Sequence, residues 1–104
     1  MEQDRISYFE NMLADNPDNP TGLLALANEY GKANRREDEA ATLQRYVANH
    51  DDEGNAYQRL GEVLVELGRE DEAGIAYEEG IKQARRFGHD GMAEEMETSL
   101  GGLG

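Results

Sequence analysis

Apolar side chains recur along this chain at i, i+3, i+4 and i+7, not at every second position. Leu23, Leu26, Ala27 and Tyr30 follow that spacing, and Tyr57, Leu60, Gly61 and Leu64 repeat it. A helix of 3.6 residues per turn carries four such residues on one face. Caps and breakers divide the pattern. Asn19-Pro20 has the form of an N-cap followed by a first helical residue, where proline's missing N–H costs nothing. Gly68 and Gly88 stand where a left-handed residue would end a helix. Six helices are expected, near residues 3–15, 20–33, 37–49, 54–67, 70–87 and 90–100. No stretch alternates with period two for long enough to make a strand.

The stripes are periodic on a longer scale. Phe9, Leu43 and Tyr77 share an offset of 34 residues; so do Leu13, Val47 and Ile81, and so do Met12, Tyr46 and Gly80. The two four-residue stripes quoted above are related by the same step. One motif departs from it: Arg-Glu-Asp-Glu-Ala occurs at 36–40 and at 69–73, an offset of 33. The turn Asn34-Arg35-Arg36 is therefore expected to hold one more residue than Gly68-Arg69. The acids of the motif fall in first helical turns, where the helix dipole favours them.

A 34-residue helix-turn-helix period with these columns resembles the tetratricopeptide repeat family. In that pattern the first helix carries a large residue, a leucine, a small residue and an aromatic, here Leu23, Leu26, Ala27 and Tyr30, then Tyr57, Leu60, Gly61 and Leu64. Ala73, Tyr77 and Gly80 match the second helix, and Phe9 with Pro17 matches the tail of a preceding half-repeat. Residues 20–53 depart most, with Tyr46 in a small-residue column and no closing proline. The resemblance covers residues 3–87. It implies an all-α fold, a right-handed superhelix of antiparallel helical hairpins, an α-solenoid of about two and a half repeats plus a capping helix. The expected divisions of this single domain are a half-repeat helix at 3–19, repeats at 20–53 and 54–87, a capping helix at 90–100 and a frayed tail at 101–104. Stacked repeats bury their apolar faces on one another and need capped ends. Met92, Met96 and Leu100 form the stripe that would supply the final cap.

The resemblance also implies a concave groove, lined by first helices, that receives a peptide or helix of a partner protein. Its positions here are Thr21, Leu24, Asn28 and Gly31, then Asn55, Gln58, Glu62 and Val65, with Arg59 and Glu66 at the margins. A family subgroup clamps a C-terminal carboxylate with lysine, asparagine and arginine. Asn28 and Arg59 match two such positions, but Leu24 replaces the first lysine, so a complete clamp is not expected. The rival reading is a self-assembling scaffold that dimerises through its repeat end, with the Met92–Met96 stripe as a sticky edge, or through the groove.

Composition sharpens this picture. The 104 residues hold 23 acids against 10 lysines and arginines, a net charge of −13. The excess is spread over both halves. Such a surface repels phosphates, so neither nucleic acid nor membrane is an expected partner, and a neutral or basic protein segment is. With lysine confined to Lys32 and Lys82, the chain is either adapted to high salt or an ordinary acidic domain. No cysteine is present, no secretory leader is visible, and a cytoplasmic protein is expected. No cofactor, metal or catalytic residue is assigned. His50 before Asp51-Asp52-Glu53 is assigned to an inter-helix turn whose acids cap the next helix, and His89-Asp90 likewise. Asp15–Asn19 lacks the spacing of a calcium loop. Ser7 and Ser99 have no neighbouring histidine in sequence, so enzyme activity is not expected.

Overall fold

A computed structural model describes residues 2–104, with side chains from Asp4 onward. It is all-α among those residues, in six helices: α1 (Glu2–Asp15), α2 (Pro20–Lys32), α3 (Arg36–Asn49), α4 (Asn55–Glu66), α5 (Glu70–Arg86) and α6 (Asp90–Gly101). Each boundary lies within a residue of the sequence expectation. The chain divides into two compact units, Met1–His50 and Asp51–Gly104. In the first, α1 packs on α2 and α2 on α3; in the second, α4 packs on α5 and α5 on α6. Among the described residues no helix is long and apolar enough to cross a membrane.

The helix ends follow local chemistry. The Gly22 N–H donates to Asn19 Oδ1 at 2.9 Å, capping α2, and Pro20 follows the cap. At the C-termini of α2, α4 and α5 one hydrogen-bond pattern recurs. Arg35 N–H donates to the Tyr30 carbonyl, Arg69 N–H to Leu64, and His89 N–H to Ala84. Asn34 (φ 58°), Gly68 (φ 75°) and Gly88 (φ 79°) occupy the left-handed position that this six-residue closure requires.

The turns correct one expectation. Ala33, Asn34 and Arg35 correspond in role to Leu67, Gly68 and Arg69, and α3 and α5 begin at Arg36 and Glu70. The two turns are therefore equal in length, and Arg36 is the first residue of a helix. The backbone keeps its 34-residue step while the Arg-Glu-Asp-Glu-Ala motif slides by one residue within α3. Two cues outweigh the motif: the left-handed Asn34, and the arginine after it. Arg35 pairs with Asp38 at 2.8 Å and Arg69 with Glu72 at 2.6 Å, again 34 residues apart.

In the first unit the core gathers Ile6 and Leu13 of α1, Leu23, Leu26 and Ala27 of α2, and Ala40 and Leu43 of α3. The Tyr30 hydroxyl donates to Glu10 Oε2 of α1 at 2.6 Å, and the Arg35 guanidinium lies 4.7 Å from the centre of the Tyr30 ring. In the second unit the helices approach closely at glycines. A Cβ on Gly61 would lie 2.6 Å from the Tyr77 ring, and one on Gly80 would lie 2.6 Å from Met96 Sδ and 2.8 Å from Tyr57 Cβ. Met96 is fully buried, so the methionine stripe of α6 belongs to the core.

Two predictions follow from this packing. Gly61→Ala gains about 1 kcal/mol of helix propensity but drives a methyl into a core ring, and overpacking costs about 1–3 kcal/mol. Thermal melting should therefore show a lowered Tm, and a raised one would contradict the crossing. The second concerns alkaline pH. Burial, then the Glu10 hydrogen bond and charge, push the Tyr30 hydroxyl up to about 12 from its ordinary 10. A group raised in the folded state stabilises fully below its unfolded pKa and loses that contribution as pH rises to the folded one. Between about pH 10 and 12 this link should lose roughly 2 kcal/mol. Tyr30→Phe should lower stability at neutral pH by about 1 kcal/mol and flatten the alkaline fall in urea titrations.

Candidate functional site

The expected groove residues fall into two rows, one in each unit. On α2, Thr21 and Asn28 are exposed while Leu24 and Gly31 are half-buried. Gly31 has a structural reason to be glycine, because a Cβ there would lie 2.9 Å from Glu39 Oε2. Glu39 is only 2% exposed, and Arg36 Nη1 reaches its Oε1 at 2.7 Å. Thirty-four residues later the sizes are exchanged, with Val65 for Gly31 and Ala73 for Glu39. The slide of the motif in α3 thus puts a carboxylate where α5 has a methyl, and glycine makes the room.

On α4, Asn55, Glu62, Val65 and Glu66 are exposed, and Gln58 and Arg59 are half-buried. This row has a partner that the sequence reading left in the capping role. Gln58 Nε2 donates to Glu95 Oε2 of α6 at 3.2 Å, joining the polar faces of α4 and α6. Between those helices lies Tyr77 of α5. Burial pushes its hydroxyl up, hydrogen bonding from Ser99 of α6 opposes that, and the charge of Glu62 of α4 adds to it. The face in the second unit therefore comprises Asn55, Gln58 and Glu62 of α4, with Glu95 and Ser99 of α6, over the Tyr77 hydroxyl. Glu95 and Ser99 flank the methionine stripe of α6, and no motif in the sequence sets them apart from its other polar residues. Their i, i+4 spacing is the signal that placed them together.

The face is acidic. Glu62 and Glu66 on α4 and Glu95 on α6 are all exposed. Arg85 Nη2 pairs with Glu97 at 2.6 Å. Chemically this arrangement offers carboxylate acceptors, amide groups from Asn55 and Gln58, and the apolar edge of Val65.

The histidines serve turns. His50 Nε2 meets the Asp18 carbonyl, and Arg45 Nη2 donates to the Pro17 carbonyl at 2.7 Å, so the end of α3 holds the α1–α2 connection. Asp52 Oδ1 accepts from the Gly54 and Ala56 N–H groups at 2.8 and 2.9 Å, capping the start of α4. His89 Nε2 lies 2.7 Å from Glu53 Oε1. His89 rather than Asp90 precedes α6, and its side chain makes no capping bond. Among the described residues no group of three histidine, cysteine or acidic side chains is placed to hold a metal ion.

No protein-family model matches this chain, and no curated protein is detectably similar to it.

One buried acid near the first row has a measurable consequence. Glu29 is 5% exposed; Lys32 lies 3.4 Å from its Oε2, and its Oε1 has no hydrogen-bond partner among the described residues. A buried acceptor without a donor costs about 1–3 kcal/mol. Replacing such a group by an apolar one of similar size is neutral or stabilising. Glu29→Leu is expected to raise the Tm in calorimetry, by a few degrees for each kcal/mol gained.

Proposed function

We propose that this chain is a tetratricopeptide-type helical repeat module that binds a segment of another protein on the faces of its first helices. Its right-handed stacking and peptide groove belong to this proposal. The observation that supports it most is the Gln58–Glu95 bridge over Tyr77. It joins α4 and α6 into one polar face, with carboxylates on both helices and Val65 beside them. The row Thr21, Leu24, Asn28 and Gly31 on α2 offers a second surface of the same kind.

The ligand is a neutral or basic segment. Carboxylates on both sides of the face attract lysine and arginine and repel acidic termini, and a net charge of −13 extends that preference to the approach of the partner. Leu24 leaves the carboxylate clamp incomplete. The same charge disfavours nucleic acid and anionic membranes. The proposal includes neither enzyme activity nor a cofactor, and places the protein in the cytoplasm. Scaffolding through the methionine stripe loses its ground, since Met96 is buried inside the second unit.

The test is an NMR titration of the full chain with extended peptides of matched length that are basic, neutral or acidic. Basic peptides should shift the amides of Asn55, Gln58, Glu62 and Val65, with affinity falling as salt rises. Glu62→Lys should weaken that binding by on the order of tenfold. Preference for acidic peptides, or shifts confined to other surfaces, would overturn the reading.

A further inference from the structure

The solvent face of α1 carries a stripe that the groove does not use. Arg5, Tyr8, Met12 and Asp15 follow one another at steps of three, four and three residues, the spacing of a helix–helix seam. Ile6 and Leu13 are buried on the opposite side of the helix. Tyr8 is 61% exposed, the largest side chain left so open on this helix, and its ring meets Phe9 edge-on at 5.1 Å. Met12 is half-buried, its sulfur lying over Gly22 of α2. A shallow hollow lined by Asp4, Arg5, Tyr8 and Phe9 opens on this side. Neither Arg5 nor Asp15 has an ion-pair partner among the described residues.

We propose that this face pairs with the same face of a second copy of the chain, α1 against α1 in antiparallel orientation. The occupant follows from the order of the four residues. A two-fold axis at Glu10 sets Arg5 of one copy against Asp15 of the other and Tyr8 against Met12, and it repeats both layers by symmetry. Arg5 then meets Asp15 in both outer layers, and each exposed Tyr8 meets the Met12 thioether, a favourable contact. Phe9 comes opposite Asn11 at the edge of the seam. A parallel arrangement would instead set Arg5 on Arg5 and Asp15 on Asp15, leaving like charges face to face. The charges therefore select the closed, isologous arrangement, which makes a dimer and not an open fibre. Four layers of a short helix bury little surface, so the dimer is a weak, reversible one. The pairing uses residues of α1 alone and none of those on the α4–α6 face.

Sedimentation over a range of protein concentrations tests this, with the full chain at about 0.15 M salt. There the Debye length of about 8 Å confines the repulsion of two acidic chains to groups near the seam. The expected result is a concentration-dependent monomer–dimer equilibrium. Tyr8→Lys should raise its Kd by on the order of tenfold or more. Arg5→Asp alone and Asp15→Arg alone should each weaken it comparably, while the double variant should recover it to within about threefold. All four positions lie on the outer side of α1, and circular dichroism of each variant confirms that the fold is intact. A chain that stays monomeric up to about 1 mM overturns the proposal. So does a dimer indifferent to Tyr8→Lys, or a charge exchange that restores nothing.

Discussion

In the second unit the closeness of three helices rests on a ring lying against bare backbone. Tyr77 occupies the space where Gly61 would carry a Cβ, and Met96 and Tyr57 fill the same space at Gly80. Glycine inside a helix costs about 1 kcal/mol relative to alanine, and here the return is dispersion contact along a large aromatic and a polarisable sulfur. The arrangement also has a chemical consequence. With the ring fixed against α4, the Tyr77 hydroxyl can reach only the gap toward α6, where Ser99 and Glu62 act on it. The contact that closes the core thus sets the floor of the polar face, and packing and candidate function share one side chain.

Electrostatics is handled locally in both units. Lys32–Glu29, Arg36–Glu39, Arg35–Asp38 and Arg69–Glu72 are all pairs three residues apart at helix ends. Exposed pairs of this kind add about 0–1 kcal/mol, and their larger effect is to fix the register of each helix start. Arg35 and Arg69 stand just before helices with acidic first turns, so each arginine reaches forward to an acid while the helix dipole holds that acid in place. With 23 acids against 10 lysines and arginines, the surface as a whole still attracts an incoming cation.

Helix number, helix ends and most of the core were legible in the sequence because each depends on short-range chemistry: an Asn-Pro cap, a left-handed glycine, a four-residue stripe. The length of the turn before α3 was misjudged for an instructive reason. Identical pentapeptides invite alignment by identity, yet the backbone aligns by turn geometry, and Asn34 performs the left-handed role of Gly68 without resembling it. Burial of Glu39 and the glycine at 31 follow from that one-residue slide. Glu29 was unreadable for a different reason. Its spacing from Gly22 and Leu26 extends a stripe facing α1, but a carboxylate in a stripe ordinarily signals its exposed edge. The part of α6 in the polar face was hidden too, since Glu95 and Ser99 acquire meaning only once Gln58 and Tyr77 are seen beside them.

The helices at the two ends of the chain differ in what they leave outside. On α6 the apolar side chains Ala93 and Met96 are buried, and Glu94, Glu95, Glu97, Thr98 and Ser99 face outward. A helix so divided satisfies its own apolar stripe and solvates the rest. On α1 the division is incomplete: Ile6 and Leu13 are inside, yet Tyr8 stands open beside Phe9. A polar residue at position 8 would have sealed that side at no cost to the core. An aromatic there, flanked at seam spacing by a thioether and by opposite charges, is a surface with the composition of an interface, where aromatics and methionine concentrate. The two helices thus differ in what they expose: α6 a polar face, α1 one that carries an open aromatic.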